Sequence, residues 1–195
     1  MKKWTGILAM CGLVLTLSHT PLLAIEAADH DAFFLSAGMA NVEVNDSPAL
    51  LTGANYGGGL RLGLFSVFFM ELGYGGMAFS NTVDQLGTPT RVYFRTTGGF
   101  LGGGMALQIR AVHLGVRYDA YINNRWQQRR VDDTTGIEID NISDRIDFNS
   151  YSVFTRFGKG AFEVGARRDR ILKNTSQVDN AFGVYVALNL LTGTG

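Results

Sequence analysis

The chain has 195 residues, which is enough for one domain. Seventeen Lys and Arg residues balance seventeen Asp and Glu residues, so the composition excludes a strongly basic protein of the kind that binds nucleic acid generally. Gly is frequent, at 25 residues, and Pro is rare, at 3. This composition argues against disorder and favours many strands joined by turns.

The first 27 residues have the features of a secretory signal peptide. Two lysines near the start precede the apolar run 7–17, and small residues follow it. The run is shorter than the roughly 20 residues that a transmembrane helix needs. We therefore predict a signal over 1–27, cleaved between Ala24 and Ala28, and a mature domain over 28–195. The single cysteine lies in the signal, so the mature domain should contain no disulfide.

Eight later segments alternate apolar side chains with polar or very small ones. This period of two is typical of strands whose two faces meet different surroundings. In chain order, the segments are 32–40, 58–65, 68–76, 97–109, 112–122, 150–158, 161–169 and 181–190. No comparable segment carries sustained helical periodicity, so the sequence predicts an all-β mature chain.

The predicted connections alternate between tight turns and long polar segments. The long segments are 41–57, 79–96, 123–149 and 170–180, and both prolines after the signal fall in them. In an up-and-down barrel this alternation places all tight turns at one end and all long loops at the other, as in membrane barrels. Strands of about 9–11 residues also suit a tilted membrane crossing. We predict an eight-stranded antiparallel up-and-down transmembrane β-barrel.

Eight charged side chains fall on the face opposite the apolar one, four of each sign. They are Arg61, Arg117, Arg156, Arg167, Glu71, Asp119, Glu163 and Asp169. An eight-stranded barrel leaves an interior just wide enough for side chains, and isolated buried charges are costly, so these charges should pair inside the lumen. Strand glycines on the same face are predicted to leave space for the guanidinium groups. The alternative is the solvated face of a soluble sheet.

Four short motifs carry a resemblance to a known family: GLRLG at 59–63, ELGY at 71–74, HLGVRY at 113–118 and FGVY at 182–185. With the whole mature pattern, they resemble the small eight-stranded outer-membrane β-barrels of Gram-negative bacteria, the OmpA/OmpX-like group. The resemblance implies a monomeric or weakly associating barrel, inserted by the outer-membrane assembly machinery. One departure is that the chain ends LLTGTG at 190–195, where such barrels usually end in an aromatic residue.

The longest predicted loop, 123–149, contains Arg125, Arg129 and Arg130. These arginines are predicted to contact lipopolysaccharide phosphates through charge-assisted hydrogen bonds. The alternative is a solvated loop without a ligand. Aromatic residues near this loop are expected to form an interfacial girdle: Trp126, Tyr93, Phe94, Tyr121 and Phe148.

Histidine placement bears on catalysis. Only His30 and His113 remain after signal removal, and both map to the end of the barrel with tight turns. A catalytic Ser–His pair at the outer end therefore has no histidine, and we predict no catalytic, metal-binding or cofactor-binding residues.

The sequence therefore predicts a non-enzymatic outer-membrane protein with a structural or surface-interaction role, acting through four long extracellular loops on an unknown partner. A narrow pore for ions or small solutes is the alternative, and a lipid-modifying enzyme comes third.

Overall fold

The structure is a computed structural model that describes residues 31–44, 50–64, 67–85, 87–109, 112–157, 161–171 and 178–191. The predicted signal peptide, its cleavage site and His30 lie outside these described residues. Within them, no helix has the length and apolar character required to cross a membrane.

Eight antiparallel strands form a closed barrel in which each strand pairs with its sequence neighbours and β1 pairs with β8. The strands are β1 (Ala32–Val44), β2 (Leu50–Gly63), β3 (Phe68–Gln85), β4 (Thr88–Ile109), β5 (Val112–Asp132), β6 (Glu138–Phe157), β7 (Phe162–Ile171) and β8 (Val178–Leu191). Each strand contains most of one predicted segment. The predicted fold class, an eight-stranded up-and-down barrel, is confirmed.

The predicted long loops 41–57, 79–96 and 123–149 are wrong, because strands include most of their residues, whereas most of 170–180 lies outside the described residues. β3, β4, β5 and β6 have 18, 22, 21 and 20 residues, and together they include most of the predicted connections 79–96 and 123–149. β3 ends at Gln85 and β4 begins at Thr88, whereas β5 ends at Asp132 and β6 begins at Glu138. Beyond the membrane the outward side chains meet water, so a strand continues there without the apolar alternation that identified its lower part.

The pairing register sets the tilt of the strands. The hydrogen-bonded partners of Ala32 can be followed through all eight strands, and the path returns to β1 at Val42, an offset of ten residues. With a rise of about 3.3 Å per residue and a strand spacing of about 4.8 Å, this offset tilts the strands by roughly 40°. The barrel is therefore narrow enough for side chains to fill it.

The two faces of the barrel differ as a membrane requires. Large apolar side chains are exposed on the outside, among them Leu35 (62%), Leu72 (60%) and Val184 (60%). Charged side chains, including Arg61 and Glu71, are buried in the lumen. A continuous apolar outer belt around a polar interior is the arrangement of a transmembrane β-barrel.

A β-bulge on β5 reverses the facing of its side chains. Tyr121 pairs with Phe148, but the next pair is Asn124 with Ile146, so β5 has one additional residue there. Asn123, in the bulge, has a φ of 57°, which is a left-handed conformation that Asn tolerates. Odd-numbered residues of β5 face the lumen below the bulge, and even-numbered residues face it above.

Two of the strand glycines lie directly against aromatic side chains of neighbouring strands. A Cβ atom at Gly165 would lie 2.6 Å from three atoms of the Tyr185 side chain, and one at Gly73 would lie 2.6 Å from Cζ of Phe100. These positions accommodate aromatic rings from neighbouring strands, so the prediction that they make room for guanidinium groups is wrong there.

Replacing Gly165 with Ala should therefore destabilise the barrel. The new methyl group would displace the Tyr185 ring, and we expect the free energy of unfolding to fall by about 1–3 kcal/mol. Urea unfolding in lipid vesicles measures this change. Ala166→Gly, one residue away on the outward face, is the control and should cost less. Equal stability of Gly165→Ala and the unmodified barrel would contradict this packing.

Candidate functional site

Arg61 is the centre of a buried ion-pair network in the lower lumen. Its Nε donates to Oε1 of Glu71 at 2.5 Å, and its Nη2 donates to Oε2 of Glu163 at 3.1 Å. Nη1 donates to Oδ1 of Asn189 at 3.1 Å. All three guanidinium nitrogens thus have acceptors, as a buried arginine requires.

Glu163 joins three arginines. Besides Arg61, its carboxylate accepts from Nε of Arg156 at 2.8 Å and from Nη1 of Arg117 at 3.3 Å. The Tyr185 hydroxyl donates to the same carboxylate at 2.8 Å. Glu163 is therefore the acceptor on which most of the network converges, and it is 1% exposed.

The other predicted charged residues also form ion pairs inside the lumen. Arg117 also contacts Glu71 at 3.3 Å and, through Nε, Asp119 at 3.1 Å. Arg167 and Asp169 form a separate pair at 2.7 Å. The structure thus places all eight predicted side chains in the lumen, six of them in one network with three charges of each sign.

Aromatic rings pack against the guanidinium groups of this network. The Cζ atom of Arg61 lies 5.0 Å from the ring centroid of Phe69, and that of Arg156 lies 4.5 Å from the centroid of Phe154. Arg117 lies over Tyr185 at 5.2 Å. These cation–π contacts add to the ion pairs. The strand alternation in the sequence places all three rings on the lumenal face, but it does not indicate that they pack against guanidinium groups.

An apolar layer fills the lumen above the charges. The rings of Tyr121 and Phe148 stack at 4.1 Å, and those of Phe94 and Trp126 lie 6.0 Å apart. These four side chains are at most 2% exposed. The predicted aromatic girdle is therefore wrong for these four side chains. Alternation along their strands places Phe94, Tyr121 and Phe148 on the lumenal face, and the bulge on β5 turns Trp126 inward. Tyr93, at 38% exposure, faces outward.

Strands β3 to β6 continue beyond the rest of the barrel as a four-stranded sheet. The pairing of β2 with β3 ends at Thr52 and Ser80, and that of β6 with β7 ends at Phe148 and Ile171. In the described part of the chain, β6 therefore has no strand beside its outer edge over residues 138–147. We call this segment the β6 edge.

The hairpin of β5 and β6 is held by ion pairs at its tip. Nε of Arg129 donates to Glu138 at 2.5 Å, and Nε of Arg130 donates to Asp140 at 2.7 Å. In the turn, Asp132 accepts backbone hydrogen bonds from Thr135 and Thr134, which lower the pKa of its carboxyl. The sheet extension is thus an ordered element.

The three arginines predicted to contact lipopolysaccharide have different surroundings. Arg129 and Arg130 have the carboxylate partners described above. Arg125 faces outward between Thr97 and Arg145, and no carboxylate of the described residues pairs with it. Of the three, Arg125 is the one free to meet an external anion.

The described residues include one histidine and several acidic side chains that bear on catalysis and metal binding. His113 is the histidine among them, and it is buried in the lumen next to Arg156. No group of three His, Cys, Asp or Glu side chains in the described ranges is arranged to hold a metal ion.

No protein-family model matches the chain, and no curated protein sequence matches it. Among solved structures, the chain is similar to Ail, the attachment invasion locus protein of Yersinia pestis, with 11% identity and a TM-score of 0.50 over 83% of this chain and 98% of Ail. It is also similar to Neisserial surface protein A, with 15% identity and a TM-score of 0.49 over 81% and 97%.

The likeness to Ail shows the fold. The chain is a small eight-stranded transmembrane β-barrel, and the resemblance predicted from the sequence is confirmed at that level.

Proposed function

We propose that the chain is a non-enzymatic surface protein of the bacterial outer membrane that binds its partners through the extension of β3 to β6. The observation that carries this proposal is the β6 edge. Its backbone has no neighbouring strand among the described residues, and Ile139 and Ile142 are 53% and 45% exposed on it. Such an edge can accept an added strand from another protein.

The lipid environment supplies the other proposed partners. The apolar belt would contact outer-membrane lipid, and Arg125 would contact lipopolysaccharide phosphate near the outer surface. Insertion would use the outer-membrane assembly machinery, and the barrel would act as a monomer, because its hydrogen-bonded ring closes within one chain. The acidic and basic totals are equal, so nucleic acid is not a proposed partner.

Attachment is the first activity to test, because Ail is named the attachment invasion locus protein of Yersinia pestis. Bacteria that display the barrel should attach to cultured cells, whereas a variant in which Asn-Gly replaces residues 129–141 should not. Gln128 and Ile142 are paired, so the shortened hairpin retains its register. Heat-modifiable gel migration checks that the variant has folded.

A variant of the β6 edge and a matched control locate the binding surface. Ile139→Lys with Ile142→Lys places charges on the β6 edge and should abolish attachment. Gln127→Lys with Val131→Lys, on β5 where both neighbouring strands are paired, is the matched control and should attach normally. Attachment that is unchanged in the shortened variant would contradict the proposal.

The pore alternative is opposed by the filling of the lumen. A charged layer and an apolar layer both lie across the path. We expect the barrel to give no steady conductance in planar bilayers, and the same result for Arg117→Ala. Steady channels that change in Arg117→Ala would establish a pore instead.

A further inference from the structure

Arg168 is a charged side chain on the lipid-facing side of β7. It follows Phe162, Val164 and Ala166 on the outward face, and it is exposed. From the rise and tilt given above, Arg168 lies about 15 Å above Phe162, in the outer half of an apolar band about 25 Å tall. A guanidinium group there requires an anionic or polar partner, because the hydrocarbon of the lipid chains supplies no counter-charge.

Contacts within the protein satisfy only part of the Arg168 guanidinium group. Nη2 of Arg168 donates to Oδ1 of Asn180 at 3.3 Å, and Cζ lies 5.2 Å from the ring centroid of Phe182. No carboxylate in the described ranges forms an ion pair with Arg168. Because a guanidinium group has five N–H donors, several remain for an external acceptor.

An apolar trough lies on the outer wall directly below Arg168. Its volume is about 1090 Å³. Its smallest lining residues are Gly103, Gly104 and Ala166. Tyr118 and Tyr151, with ring centroids 5.1 Å apart, line it next to Arg168. Its other apolar lining includes Phe68, Met105, Val116 and Val153. The surface is suited to hydrocarbon chains that end near a cation.

We propose that Arg168 and this trough form a site for lipid A, the phosphorylated glycolipid portion of lipopolysaccharide. An acyl chain lies in the trough, and a phosphate oxygen accepts hydrogen bonds from the Arg168 guanidinium group. Arginine suits this role because its planar fork of donors matches phosphate geometry. The proposal rests on the proposed outer-membrane location, but the site is on β7, apart from Arg125 and from the β6 edge, and is independent of the attachment role.

The test measures lipid binding by native mass spectrometry of the folded barrel in detergent. We expect bisphosphorylated lipid A to bind about tenfold more tightly than phosphate-free lipid A with the same acyl chains. Arg168→Gln should remove this preference. Ala166→Phe, which fills the trough, should weaken the binding of both lipids. Gel migration confirms the fold of each variant.

The controls separate this site from the outer arginines. Arg91→Gln alters an exposed arginine that pairs with Asp133 on the hairpin, and it should bind lipid A normally. A loss of phosphate preference in Arg125→Gln but not in Arg168→Gln would overturn the Arg168 site while leaving Arg125 as an anion contact. Equal binding of the two forms of lipid A, or of phosphatidylglycerol and lipid A, would also overturn it.

Discussion

Replacing Glu163 with Gln is expected to lower the free energy of unfolding of the barrel by about 3–5 kcal/mol. The carboxylate contacts Arg61, Arg117 and Arg156, and all three guanidinium groups are buried. Glutamine keeps the shape and one acceptor but removes the charge, so the network is left with an uncompensated positive charge away from water. Urea unfolding in lipid vesicles, followed by gel migration, measures the loss.

A double variant distinguishes charge balance from simple packing. Arg156→Met with Glu163→Met removes one charge of each sign and fills similar volume, so it should cost much less than Glu163→Gln. If both variants lost the same stability, the network would contribute through shape alone. A Glu163→Gln barrel as stable as the original would contradict the role of Glu163 as the common acceptor.

Replacing Trp126 with Ala is expected to cost about 3–5 kcal/mol of stability. Trp126 is 1% exposed and packs against Phe94 inside the upper lumen. Its removal leaves a cavity that the rigid strand ladder cannot close. Removing a tryptophan at the membrane interface would cost less stability, because lipid would fill the space that the side chain leaves. Unfolding in urea measures the difference.

Fluorescence reports the position of Trp126 independently. Trp4 lies in the predicted signal, so Trp126 is the only tryptophan of residues 28–195. Brominated lipid chains should quench its fluorescence weakly. In a Trp126→Phe background, Ile122→Trp places the probe on the outward face, where Ile122 is 67% exposed, and quenching should be strong. Strong quenching of Trp126 itself would restore the girdle interpretation.

The candidate site was predictable in its residues but not in its contacts. Strand alternation identified Arg61, Glu163 and their six companions, because facing depends only on position along one strand. It could not show that Glu163 joins three arginines, because those partners come from β2, β5 and β6 and meet only when the ring closes. Alternation also places Arg168 on the outward face of β7, but its contacts with Asn180 and Phe182 come from β8 and depend on the pairing register.

The sequence by itself determined the number of strands, their order, the two faces of the barrel and the charge balance of the lumen. These features follow from a local period of two and from the balance of charges on one face. Only the tertiary structure decided where the strands end and which way Trp126 points. Pairing between strands extends β3 to β6 where the apolar alternation stops, and one additional residue near Asn123 reverses the facing of everything after it on β5.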